Sequence, residues 1–138
     1  MTDDEFVLAF ESGALAPADF DHAAHLRMAF ALLARRPFLE ACIAMRDGLR
    51  ALARRAGREG LYHETITVAF TSIVLDRMRQ RPELDWPAFI ALNADLADRR
   101  LLARYYREPT LRTDAARERF VLADAAGVPT AATSSEHA

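Results

Sequence analysis

Residues 66–75 carry no charged side chain, and this uncharged stretch limits the folds open to the chain. Its β-branched residues would suit a strand, but Ile66, Phe70 and Ile73 have the spacing of one helix face. A helix that is apolar on nearly every side is typical of the centre of a bundle. The stretch is too short to span a bilayer, which takes about 20 apolar residues. The sequence therefore predicts a buried helix over residues 63–80.

The rest of the 138-residue chain favours further helices. Ala and Leu are abundant and there are only five glycines, a composition typical of helical proteins. Start and stop signals predict other long helices over about residues 3–11, 21–35 and 37–56. We expect an all-α, single-domain helical bundle over residues 1–126, with about four longer helices and two or three short C-terminal helices. Residues 127–138 are small and polar, which predicts a disordered tail.

Several of these helices begin with side chains that can accept a hydrogen bond from a free backbone N–H group. These N-cap candidates are Thr2 with Glu5, Asp21, Asp85 and Thr113. In the C-terminal third, we expect a short helix over about residues 96–105 and an extended segment at residues 120–122.

The charge of the chain excludes a strongly basic nucleic-acid-binding protein. Its 18 basic residues, all arginine, are outnumbered by 20 acidic ones, which gives a net charge of −2. The N-terminus carries acidic residues where a signal peptide would carry basic ones. Cys42 is the only cysteine, so no internal disulfide can form. We expect a cytoplasmic protein that binds neither nucleic acid nor membranes, with a homodimer among the candidate assemblies.

Three histidines lie at the starts of two long helices. His22 and His25 are three residues apart on one apolar helix face, and His63 begins the central helix beside Glu64. In an up-down bundle, alternate helices run parallel, so their N-terminal ends lie at the same end of the domain. This topology would bring the three imidazoles and the carboxylate close together.

Such a cluster suits a divalent transition metal, with Zn or Fe favoured by imidazole and carboxylate ligands. We therefore expect a metal site at His22, His25, His63 and Glu64, with Glu64 as a fourth ligand or a catalytic general base. Tyr62 and Thr67 would orient the ligands and line the site. The function expected from this pattern is metal binding, with metal-assisted chemistry on a small molecule as its extension.

Two alternatives stay open. The same pocket could bind an organic ligand without a metal, with a His–Glu pair available for acid–base work. The protein could instead be a dimerising helical interaction module in which the histidines only stabilise the fold. His-x-x-His is a motif of low specificity, and the positive end of a helix dipole disfavours a cation.

The segments Phe20–Arg27 (Phe-Asp-His-Ala-Ala-His-Leu-Arg) and Tyr62–Thr67 (Tyr-His-Glu-Thr-Ile-Thr) resemble an uncharacterised family of small bacterial helical proteins. The resemblance extends from about Phe20 to Asp124. The Asn-Pro-Asp-Leu motif of that family stands here as Asn-Ala-Asp-Leu over residues 93–96. The resemblance implies a single helical domain, and it implies no reaction because the family has no established activity.

Overall fold

The computed structural model describes residues 1–126, which form an α-helical bundle without β-strands, as predicted. The predicted disordered tail over residues 127–138 lies outside the described residues. The α-helices are α1 (Asp3–Ser12), α2 (His22–Leu33), α3 (Phe38–Arg55), α4 (Glu64–Gln80), α5 (Trp86–Leu92), α6 (Glu108–Leu111) and α7 (Asp114–Glu118). Short 3₁₀ helices cover Pro17–Asp19, Glu59–Leu61, Ala94–Ala97 and Arg99–Arg104.

The predicted N-caps are confirmed. Thr2 and Glu5 form a reciprocal capping box at the start of α1, with N–O distances of 3.1 and 3.2 Å. The carboxylate of Asp21 accepts the Ala24 N–H at 2.9 Å, and Asp85 and Thr113 accept equivalent bonds at the starts of α5 and α7. Each bond satisfies an N–H group that the helix itself leaves free.

The C-terminal third departs from the prediction. The expected helix over residues 96–105 is two 3₁₀ helices, separated at Asp98, whose carboxylate accepts the Arg100 N–H at 2.9 Å. The expected extended segment at residues 120–122 pairs with no strand within the described residues. Its backbone is held instead by Thr65, whose hydroxyl accepts the Val121 N–H at 3.1 Å.

The core is built around α2 and α4, which pack against each other. Met28, Ala31 and Leu32 of α2 are fully buried, and Val74 of α4 is buried with them. Helix α4 also contacts α3, α7 and the second C-terminal 3₁₀ helix. The prediction that residues 63–80 form the central helix is therefore confirmed, apart from His63, which lies one position before α4 begins.

The Phe10 side chain of α1 packs directly onto α3 at Gly48. A Cβ atom placed on Gly48 would lie 2.1 Å from Cζ of Phe10, which is far inside van der Waals contact. The absence of a side chain at this position lets the Phe10 ring fill the space above α3. Phe10 in turn stacks on Phe20, with ring centroids 5.2 Å apart. This aromatic contact leads from α1 to the start of α2, where the predicted site lies.

Within residues 1–126, no helix combines the length and the apolar character that crossing a lipid bilayer requires.

Candidate functional site

A cavity of about 1040 Å³ opens between α2, α3, α4 and the C-terminal 3₁₀ and α6 segments. Most of the side chains around it are apolar. The apolar walls include Leu26 and Ala29 of α2, Met45 and Leu49 of α3, and Ile66 and Phe70 of α4. Because these three helices supply both the core and the cavity wall, the position of the cavity is set by the packing of the bundle.

Five of the six residues predicted for the site line this cavity. They are His22, His25, Tyr62, His63 and Thr67. The packing of α2 against α4 places the starts of both helices along this one cavity. What each of them can do there depends on its hydrogen bonds.

His63 has no lone pair left for a ligand. It is the N-cap of α4, and its Nδ1 accepts the Ile66 N–H at 3.1 Å. The ring proton is therefore on Nε2, which donates to the carbonyl oxygen of Leu111 at 2.7 Å. His63 thus joins the start of α4 to the end of α6. This is a structural role, and it conflicts with the predicted role of His63 as a metal ligand.

His22 is held from one side only. Its Nε2 lies 3.0 Å from the carbonyl oxygen of Leu96, to which it donates, so Nδ1 keeps the lone pair. The His22 ring meets Phe70 edge-on, with centroids 5.1 Å apart. These two contacts fix the ring between α4 and the 3₁₀ helix Ala94–Ala97.

His25 is the polar group most available to a ligand. Its ring packs against Phe20, with centroids 4.7 Å apart, and it makes no hydrogen bond within residues 1–126. Burial lowers the pKa of His25 to about 4, with smaller lowering contributions from the nearby His22 and Arg99 and an opposing one from Asp21. At neutral pH, His25 is therefore uncharged and offers one donor and one acceptor nitrogen.

Glu64 lies outside the cavity lining. Its Oε1 accepts the Tyr62 hydroxyl at 2.6 Å, and its Oε2 lies 3.9 Å from Nη1 of Arg46. Tyr62 stands between this carboxylate and the cavity. Burial and the bond to Glu64 raise the pKa of Tyr62, so the hydroxyl stays protonated at neutral pH. The predicted catalytic carboxylate is thus hydrogen-bonded to Tyr62 and lies outside the cavity lining.

The threonines of α4 are also internally satisfied. The Thr67 hydroxyl donates to the carbonyl oxygen of His63 at 2.9 Å, and the Thr71 hydroxyl donates to that of Thr67 at 2.7 Å. Such bonds back to the preceding turn let a polar side chain sit on a buried helix face.

The predicted four-residue metal site is not assembled in this arrangement. No three His, Cys, Asp or Glu side chains in the described part of the chain are grouped closely enough to hold a metal ion. The physical reason is that two of the predicted ligands already have partners. Both nitrogens of His63 are hydrogen-bonded, and Glu64 is bonded to Tyr62. The expectation of Zn or Fe therefore finds no support in the geometry.

Three arginines at the cavity were missed by the sequence reasoning. Arg58, Arg99 and Arg100 line the cavity and are exposed, so they mark its opening. Arg58 lies in the connection after α3, and the other two lie in a segment that was expected to be a continuous helix. No local signal identifies them, because only the fold brings these two segments to one opening.

No family model, curated protein or solved structure matches the chain. The resemblance to a bacterial family thus stays a prediction.

Proposed function

We propose that this protein binds a small, largely apolar organic molecule in the cavity between α2, α3 and α4, without the help of a metal ion. The observation that carries the proposal is the cavity itself. Its volume of about 1040 Å³ lies just above the range of roughly 300–1,000 Å³ found for small-molecule sites.

The character of the wall supports this proposal. Ligand sites are lined mainly by apolar side chains, with a few polar groups that orient the ligand. Here Leu26, Met45 and Phe70 represent the apolar wall, and His25 supplies a polar group that has no protein partner within residues 1–126. Protein interiors are close-packed, with few voids larger than a water molecule. A small helical bundle does not need an opening of this size for its stability.

The state of the polar groups favours binding over catalysis. Neutral His25, with its pKa lowered to about 4, is a weak base that can hydrogen-bond a hydroxyl or amide group. Glu64 is separated from the cavity by Tyr62. The proposal therefore includes no reaction step. Inside the cavity, the single polar contact of the ligand is with His25.

The test is a calorimetric titration with octan-1-ol, a neutral probe with an apolar chain and one hydroxyl group. We expect saturable binding of the probe to the wild-type protein. Ala53→Phe places a bulky ring at a half-buried position in the cavity wall and is expected to abolish binding. Ala91→Phe is the matched control, since Ala91 is exposed on α5 and is not part of the wall.

Circular dichroism spectra and unfolding curves establish that both variants fold. Equal binding by the wild type and Ala53→Phe would contradict the proposal, as would the lack of saturable binding by the wild type.

A further inference from the structure

The opening of the cavity has a charge opposite in sign to that of the whole chain. The net charge of the protein is −2, yet three arginines line the opening against one carboxylate, Glu108. That carboxylate is already paired with Arg112, one turn further along the chain. The opening therefore carries an excess of positive charge that the cavity wall itself does not neutralise.

Two of these arginines have no protein partner among residues 1–126. Arg100 is paired with Asp98, with an N–O distance of 3.1 Å. The guanidinium groups of Arg58 and Arg99, by contrast, make no hydrogen bond or ion pair with the described residues. Some other arginines join parts of the fold, as Arg27 does with Asp3 and Arg77 does with Asp95. An unpaired guanidinium group presents several N–H donors in the planar geometry that suits a carboxylate.

The charge of Arg99 also acts inside the cavity. It is one of the positive charges that lower the pKa of His25, after burial and His22. Arg99 thus contributes a positive potential at the inner wall near His25, which outweighs the opposing contribution of Asp21. A field of this sign favours an anion and disfavours a cation at the same position.

We infer that the ligand of this cavity is an amphipathic organic anion, with an apolar body enclosed by the cavity walls and a carboxylate bound at the opening by Arg99 and Arg58. The apolar walls suit the apolar body of the ligand, and the unpaired guanidinium groups suit its carboxylate. This inference rests on the proposed function and narrows it to one class of ligand.

The test compares three probes with the same eight-carbon chain: octanoate, octan-1-ol and octylamine. A carboxylate is much harder to remove from water than a hydroxyl group, so a site without cationic groups would prefer the alcohol. We expect octanoate to bind about five- to tenfold more tightly than octan-1-ol, a ratio that corresponds to one typical net hydrogen bond. Octylamine should bind most weakly. The affinity for octanoate, and not that for octan-1-ol, should fall as salt is added.

The contribution of the arginines is measured with Arg99→Gln and with the double variant Arg58→Gln/Arg99→Gln. Both are expected to bring the affinity for octanoate down to that for octan-1-ol or below, while the affinity for octan-1-ol stays the same. The matched control is Arg79→Gln, which makes the same change of charge at an exposed position on α4 outside the cavity. All three positions are exposed, so the substitutions should leave the fold intact.

The outcomes separate this inference from the proposed function. Tighter or equal binding of octan-1-ol overturns the inference and leaves the cavity as a ligand site. Equal loss of octanoate affinity in Arg79→Gln also overturns it, because the effect would then come from overall charge. If octan-1-ol shows no saturable binding to the wild type, both the proposed function and the inference that rests on it are overturned.

Discussion

The imidazole of His25 packs at a tilt of 42° against the ring of Phe20, with ring centroids 4.7 Å apart, and it has no hydrogen-bond partner within residues 1–126. This placement predicts how stability depends on pH. In the unfolded chain, His25 takes up a proton near pH 6.5, whereas in the folded protein burial lowers its pKa to about 4. Between these values the unfolded state binds more protons, so stability falls as the pH is lowered.

The His25 contribution to stability should be complete above pH 6.5 and should fall by at most about 3 kcal/mol as the pH drops to about 4. Urea unfolding of the wild type and of His25→Gln over this range measures it, since the variant cannot titrate at this position. The difference between the two free energies of unfolding should change between pH 6.5 and 4 and stay constant above 6.5. Two parallel curves would rule out a lowered pKa for His25.

His63 is expected to stabilise the fold. His63→Ala removes the N-cap of α4 and the bond to Leu111, and it should lower the free energy of unfolding by about 2–3 kcal/mol. His63→Asn keeps an N-cap acceptor but cannot bridge to Leu111 in the same way, so its loss should be intermediate. A loss below about 0.5 kcal/mol in His63→Ala would show that the two bonds contribute little.

Metal ions are expected to leave stability unchanged. Because both nitrogens of His63 are bonded and Glu64 is paired with Tyr62, Zn²⁺ has no preformed set of ligands here. Thermal unfolding should give the same Tm with a chelator, with added Zn²⁺ and with added Fe²⁺. A rise in Tm with increasing metal concentration would be the signature of specific binding to the native state, and it would revive the metal site.

Gly48 is expected to tolerate no side chain. Gly48→Ala would put a Cβ atom 2.1 Å from the Phe10 ring, and the forced shift should cost about 2 kcal/mol or more. Gly60→Ala is the matched control, because a Cβ atom there meets nothing within 4 Å, and it should change stability by less than about 0.5 kcal/mol.

A double variant tests the stated cause. In Phe10→Leu/Gly48→Ala the smaller side chain relieves the clash, so the combined loss should be clearly smaller than the sum of the two single losses. Simple addition of the two losses would show that Gly48 matters for some reason other than contact with Phe10.

Much of the fold could be predicted because its signals are local. N-caps such as Asp21 and Thr113 act on N–H groups two or three residues away, and the uncharged helix over residues 66–75 is identified by its own periodicity. The segment at residues 96–105 was predicted less well. Its departure from a continuous helix occurs at Asp98, where a side-chain bond to the next turn competes with regular helix geometry.

The candidate site could be predicted only in part, for a related physical reason. The packing of α2 against α4 was expected from the bundle topology, and it does bring His22, His25 and His63 to one cavity. The hydrogen bonds of the His22 and His63 rings depend on carbonyl oxygens far along the chain. Leu111 lies 48 residues from His63, and Leu96 lies 74 residues from His22. No motif encodes such partners, so the sequence could suggest a metal site for which residues 1–126 show no group of ligands.

The most direct test of a ligand-binding cavity is a map of backbone amide chemical shifts during titration with octan-1-ol. The account predicts saturable shifts at cavity residues of three helices, among them Ala29, Ala53 and Thr67. Amides next to Leu39 and Ile43, which are exposed apolar residues on the outer face of α3, should stay unchanged. Shifts confined to Leu39 and Ile43, or no saturable shifts at all, would contradict the central claim.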